Sequence, residues 1–153
     1  MNSCKKYLLD LLEKSERNGL TKEDVETWAT KIMEENHFPH YLENKTYLIM
    51  QQEIKDVCIR ENIHDDDKIL NKLKEYRYVD KICDLVRGKF VRWIRLNSTC
   101  KLTKGGIVAD IKFLENGTHI LIKNALNRFI QYKYDECITF QKLSVEELLY
   151  LKI

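Results

Sequence analysis

The dipeptide Asn116-Gly117, set between the alternating stretches GIVADIKFLE and THILIK, constrains this chain more than any other feature. Two-residue loops of this composition close antiparallel hairpins, because both central positions need positive φ. With Asn116 and Gly117 as the loop, Glu115 faces Thr118, Phe113 pairs with Ile120, Ile111 with Ile122 and Asp110 with Lys123. Period-two alternation then turns Ile111, Phe113, Ile120 and Ile122 to a core and leaves the Asp110–Lys123 pair to solvent. A strand over 89–96 precedes the hairpin, and strands over 128–134 and 137–143, joined at Asp135-Glu136, follow it. Five short strands with tight turns predict a small closed or half-closed barrel, because closure removes sheet edges.

Before Gly88 the hydrophobic period is that of helices. Cys4, Tyr7, Leu8, Leu11 and Leu12 make one stripe, ended by Asn18-Gly19. A second helix starts at the cap Thr21, with Leu20 and Val25 as its staple. Its stripe is Val25, Trp28, Ala29, Ile32 and Met33, and Pro39 breaks it. A third helix covers 46–61, with Tyr47, Met50, Ile54, Val57 and Cys58 inward. A fourth covers 66–76, with Ile69, Leu70 and Leu73 inward, and a short fifth segment covers 79–86. At the far end, Ser144 and Glu147 form a capping box for a terminal helix whose Leu148, Leu149 and Leu151 can seal a barrel end. The fold class expected is α+β: a helical module over 1–86, then a five-stranded antiparallel barrel-like module over 87–153 with its C-terminal capping helix.

Composition removes several classes. The apolar fraction of 44% supports a core and argues against disorder. No apolar run approaches the ~20 residues that span a bilayer, so no membrane partner is expected. The N-terminus has charges within its apolar stretch and lacks a small-residue cleavage site, so it does not read as a signal peptide. The five cysteines, Cys4, Cys58, Cys83, Cys100 and Cys137, are scattered and odd in number, which suits reduced thiols in a cytoplasmic rather than a secreted setting. The three Asn-x-Ser/Thr triplets, at Asn44, Asn97 and Asn116, are then chance matches.

No motif fixes a reaction. The run Asn62-Ile63-His64-Asp65-Asp66-Asp67 gathers hard ligands but lacks the Gly and Glu of a calcium loop, and reads as a helix start. The Cys and His residues lack zinc-finger spacing. Gly105-Gly106 opens a strand rather than a helix, so it reads as a turn and not as a phosphate cradle. The histidines are His37, His40, His64 and His119, and only the last lies in the β half. Neither cofactor nor metal is expected, and the reading leans away from an enzyme.

Charge is the remaining signal. Residues 1–84 carry 14 Lys and Arg against 18 Asp and Glu, whereas residues 85–153 carry 12 against 6. Along 89–96 both strand faces are apolar: Phe90, Arg92, Ile94 and Leu96 on one, Lys89, Val91, Trp93 and Arg95 on the other. A tryptophan flanked by cations is what a nucleic-acid stacking platform uses, since every base has a π-face and the cations meet phosphate. Arg87, Lys89, Arg92, Trp93, Arg95, Lys101, Lys104, Lys123 and Arg128 are therefore the candidate nucleic-acid contacts. The competing reading makes Trp93 core, with Arg stems over it. A solvent-facing Trp93 favours RNA or DNA, and a buried one favours a structural or adaptor protein that binds other proteins, for which the acidic helical half is a candidate surface.

The run KLTKGGIVADIKFLENGTHILIKNALNRFIQYKYDECITFQKL resembles proteins of nucleocytoplasmic large DNA viruses that carry no assigned mechanism. The resemblance implies a host-cytoplasm or virion setting and carries no catalytic residue. By strand count, the β half is also broadly similar to Sm- and SH3-type barrels.

Overall fold

The computed structural model describes residues 23, 27, 40–64, 66–97 and 100–152. The expected first helix, the Asn18-Gly19 stop, the Thr21 cap, the stripe from Val25 to Met33, the Pro39 break, Cys4, His37 and Asp65 lie outside these residues. From the second expected helix, Glu23 and Thr27 are described. Both are helical, and the Thr27 hydroxyl donates to the Glu23 carbonyl at 2.8 Å.

The chain divides into two compact units, residues 1–49 with 144–153 and residues 50–143. Three helices are named here: α1 (Tyr47–Arg60), α2 (Asp66–Lys72) and α3 (Val145–Leu151). In the first unit, α3 begins with the expected capping box. The Glu147 N–H donates to Ser144 Oγ at 3.2 Å, and the Ser144 N–H donates to Glu147 Oε1 at 3.0 Å. The other Glu147 oxygen accepts from the Tyr41 hydroxyl at 2.6 Å, so this buried carboxylate has partners on both oxygens. The Lys152 ammonium lies 5.0 Å from the Tyr47 ring centroid, a cation–π contact at the other end of α3.

The second unit is built on a sheet of six antiparallel strands: β1 (Tyr76–Val79), β2 (Phe90–Arg95), β3 (Gly106–Leu114), β4 (Gly117–Lys123), β5 (Phe129–Lys133) and β6 (Cys137–Lys142). Their order is β1-β6-β2-β3-β4-β5. The α+β class holds, but the sheet has six strands rather than five, and it is not closed into a barrel: β1 and β5 are its two edges. The extra strand is Tyr-Arg-Tyr-Val, where Tyr76 was expected to end the fourth helix and Val79 to open the fifth segment. α2 stops at Lys72, and the aromatic and β-branched residues that follow pair with β6, Tyr76 opposite Lys142 and Val79 opposite Thr139. Only Ile82–Asp84 of the expected fifth segment is helical, as one 3₁₀ turn.

The open sheet is strongly curled. Trp93 on β2 and Tyr132 on β5 are three strands apart, which in a flat sheet means about 14 Å. Their ring centroids are 4.1 Å apart and the planes 11° from parallel. The Tyr132 hydroxyl also shares a hydrogen bond of 3.0 Å with Thr139 Oγ1 on β6, four strands away. Side chains across the hollow thus bridge what backbone hydrogen bonds leave open.

Each face has its own core. On the inner, concave side lie Val79, Leu85, Val91, Trp93, Val108, Ile120, Ile122 and Tyr132. On the outer side, Ile54, Val57 and Cys58 of α1 with Ile63, Ile69 and Leu73 cover Tyr76, Ile94, Ile138 and Phe140. These helices therefore cover the β1-β6-β2 part of the outer face.

The hairpin register differs from the expected one. Of the Asn116-Gly117 pair, positive φ falls on Gly117, at +123°, and not on Asn116. The loop is consequently Glu115-Asn116, with Leu114 opposite Gly117, Phe113 opposite Thr118 and Ile111 opposite Ile120. A shift of two residues preserves the faces, so Ile120 and Ile122 remain core. Phe113, expected in the core, stands exposed near the hairpin tip. In this shifted register Asp110 stands opposite Leu121, so the expected Asp110–Lys123 pair does not form, and a bulge between Val108 and Asp110 then sets Ile107 opposite Lys123. Asp110 binds Arg87 instead, at 2.8 Å. Gly105 has φ +82°, and a Cβ there would stand 2.0 Å from the Val91 carbonyl oxygen, so the Gly pair serves a close strand approach.

Candidate nucleic-acid interface

Trp93, the residue on which the sequence argument turned, is 4% exposed and stacked on Tyr132 in the inner core. It offers no face to a base, which corrects its assignment as a stacking platform. The sequence could not decide this because both faces of β2 are apolar. Val91 and Trp93 point into the hollow, while Phe90 and Ile94 point toward the helices.

The cations around Trp93 separate in the same way. Alternation places Arg92 on the outer side and Arg95 on the inner side. The half-buried Arg92 is structural: its Nε donates to the Thr103 carbonyl at 2.8 Å, and the Trp93 N–H donates to Thr103 Oγ1 at 3.1 Å. Arg92 also hydrogen-bonds the Tyr76 phenol. Burial pushes that phenol up, and the guanidinium pulls it partly back. Arg95 acts similarly on Cys137, whose thiol is pushed up by burial and drawn down by the guanidinium. Arg87 is held by Asp110. Lys89 is half-buried, and its carbonyl accepts from the Val108 N–H at 2.9 Å. Lys101 and Lys104 are exposed on the segment leading into β3.

Lys123 and Arg128 stand in sequence at the two ends of the β4–β5 turn: Lys123 is opposite Phe129, and the Asn124 N–H donates to the Arg128 carbonyl at 2.9 Å. The turn is rigidly built. The Asn124 side-chain oxygen accepts from the N–H groups of Leu126 and Arg128, both at 3.0 Å. The Asn127 N–H returns to the Asn124 carbonyl at 3.0 Å, and Asn127 takes the left-handed φ of +58°, which asparagine tolerates well. Leu126 is left at the tip, 74% exposed.

From this turn a cross-strand row runs over the outer face. Phe129 on β5 is opposite Lys123 on β4, which is opposite Ile107 on β3, which is opposite Phe90 on β2. Phe90 is tucked against the helix-covered core, while Ile107 is 49% and Phe129 62% exposed. The Lys123 ammonium sits 5.8 Å from the Phe129 ring centroid. Parallel rows on the same face are Asp110–Leu121–Gln131 and Lys112–His119–Lys133. His119 is buried between Asn116 Oδ1, 3.1 Å from its Nε2, and Gln131 Nε2, 2.9 Å from its Nδ1. The one carboxylate of these rows, Asp110, is engaged by Arg87, and Lys133 lies 3.7 Å from Glu136.

Phe129, Ile107 and Leu126 are the residues that sequence reasoning missed. The available signal was Phe129 directly after Arg128 at the start of a strand. Its pairing with Lys123 depends on the β4–β5 register, and the unrecognised bulge in β3 hid the pairing of Ile107 with Lys123. Among the described residues, no group of three or more His, Cys, Asp or Glu side chains gathers to hold a metal ion, and no helix is long and apolar enough to cross a membrane.

Comparison with known proteins returns no match: no family model fits the chain, and no curated protein and no solved structure matches it. The resemblances to viral proteins and to Sm- and SH3-type barrels rest on the sequence alone.

Proposed function

We propose that this protein is a non-enzymatic binding module that contacts RNA or DNA through the outer face of β3-β4-β5. The observation that carries the reading is the row Ile107–Lys123–Phe129, an exposed aromatic and an aliphatic residue around an exposed cation, with Asp110, the carboxylate of the neighbouring row, engaged by Arg87. Nucleic-acid surfaces combine these two features, charge for phosphate and apolar surface for bases. Among the described residues, the helices cover β1-β6-β2, while Ile107, Lys123 and Phe129 are exposed. The excess of Lys and Arg after residue 85 supports the same reading.

The test is binding of short single-stranded and duplex oligonucleotides across a salt series. The reading expects affinity at low salt that falls linearly on a logarithmic salt axis, because each neutralised phosphate releases counterions. Replacing Lys123 and Arg128 by Gln lowers the affinity and flattens that slope by about one unit per lost contact.

The burial of Trp93 favours a second reading, an adaptor or scaffold that binds protein. Exposed apolar side chains at Ile107, Leu126, Phe129 and Ile130, beside the unpaired β5 edge, would then meet a partner chain. Absence of oligonucleotide binding at low salt selects it. A host-cytoplasm or virion setting belongs to the same proposal and rests on the sequence resemblance and the scattered thiols.

A further inference from the structure

We infer that the ligand of this face is single-stranded nucleic acid and that Phe129 is its base-stacking residue, an inference that rests on the nucleic-acid reading above. The role that Trp93 cannot fill thereby moves from β2 to β5, three strands away along the curled sheet.

Three observations carry the inference. First, Phe129 is 62% exposed, and the Lys123 ammonium lies 5.8 Å from its ring centroid. A lysine stem can swing aside and leave its ammonium for a phosphate, while the ring receives a base. Second, the site is preorganised. The twofold acceptance by Asn124 Oδ1 fixes the N–H of Arg128, the residue before Phe129, and strand pairing fixes Phe129 opposite Lys123. The Lys123–Phe129 pair and the backbone of the preceding turn are thus held in place before binding. Third, the surface is of the wrong kind for a duplex. A duplex keeps its base π-faces stacked inside and offers phosphates and groove edges. Exposed Ile107, Leu126 and Phe129 gain nothing from phosphates, and gain from unstacked bases. Charge complementarity distinguishes this ligand from a basic or neutral peptide, since the only carboxylate in the three rows is taken by Arg87.

The experiment compares wild type, Phe129→Leu, Phe129→Tyr and the double variant Lys123→Gln with Arg128→Gln. The probes are a short oligothymidylate and a duplex of equal length at low salt, with thermal midpoints taken as folding controls. Phe129 is exposed, so its variants are expected to melt with the wild type. Phe129→Leu should weaken single-strand binding by about 5- to 100-fold, the span of one base–aromatic stack, and leave duplex binding unchanged. Phe129→Tyr, which keeps the ring, should restore the wild-type affinity. The double variant should weaken both probes and flatten the salt dependence. If the double variant weakens binding while Phe129→Leu binds single strands as the wild type does, the stacking inference falls and the nucleic-acid reading stands. If the folded wild type binds neither probe at low salt, both fall and a protein ligand replaces them.

Discussion

Trp93 and Tyr132 contribute to this structure by facing each other. Their stack buries two large rings in the hollow of the sheet, and the Tyr132 hydroxyl finds Thr139 there. Replacing Trp93 by Leu removes ring volume that the surrounding Val91, Val108 and Ile122 cannot refill. A loss of about 3 kcal/mol is expected, by the cost of large-to-small core changes. The thermal midpoint should fall with it, and an unchanged midpoint would contradict the buried stack. Alkali gives a second reading of the same core. Burial raises the phenols of Tyr132 and Tyr134 well above their ordinary 10.0. In the unfolded chain these groups ionise near 10.0, whereas the folded protein keeps both protons. Stability from this source is complete below that pH and is lost as pH rises through it, because the folded state then binds more protons. Urea midpoints should therefore drop steeply above pH 10, with tyrosinate absorbance rising together with unfolding rather than before it. Early ionisation of all the tyrosines in the folded protein would contradict it.

At the scale of elements, all five expected strands could be read, because alternation and turn residues are local signals. β2, β5 and β6 fall within the ranges read from the chain, and the 3₁₀ turn Tyr134–Glu136 stands where the join was expected. The α3 cap was equally local, and Ser144→Ala should cost about 1 kcal/mol, seen as loss of helicity and a lower midpoint. β1 was not legible. Tyr76–Val79 becomes a strand only because β6, more than fifty residues on, offers it an edge. The hairpin shows how a correct signal yields an inexact register. Asn116-Gly117 does mark the turn, but one positive φ rather than two moves the loop back by one residue, which sets Asp110 opposite Leu121, and the bulge near Ala109 then sets Ile107 opposite Lys123. Gly117→Val should destabilise by about 1–3 kcal/mol, since a β-branched residue resists its φ. The new Cβ would also stand 2.6 Å from Asp135 Oδ2, which now accepts the Thr118 N–H. A thermal melt indistinguishable from wild type would contradict the turn.

For the molecule as a whole, the charge asymmetry was legible and the surface it serves was not. Nine residues around Trp93 and the hairpin were candidates, and the fold scatters them. Trp93 is core, Arg92 holds Thr103, Arg87 is spent on Asp110, and Arg95 points to the inner side. Lys123 is the candidate that the fold sets among exposed apolar residues, Ile107 on one side and Phe129 on the other, which a one-dimensional reading had no reason to join. Cross-strand rows depend on register, and a bulge in β3 sets the Ile107–Lys123 step of this one. The account's central claim is that ligand meets the outer face of β3-β4-β5 and not the surroundings of Trp93. The most direct measurement is a map of backbone amide shifts as a short oligothymidylate is titrated at low salt. The account predicts perturbations centred on Ile107, Lys123 and Arg128–Phe129, with the amides of Trp93 and Tyr132 unmoved. Perturbations centred on the Trp93–Tyr132 core or on the helix-covered strands, or none at all, would contradict it.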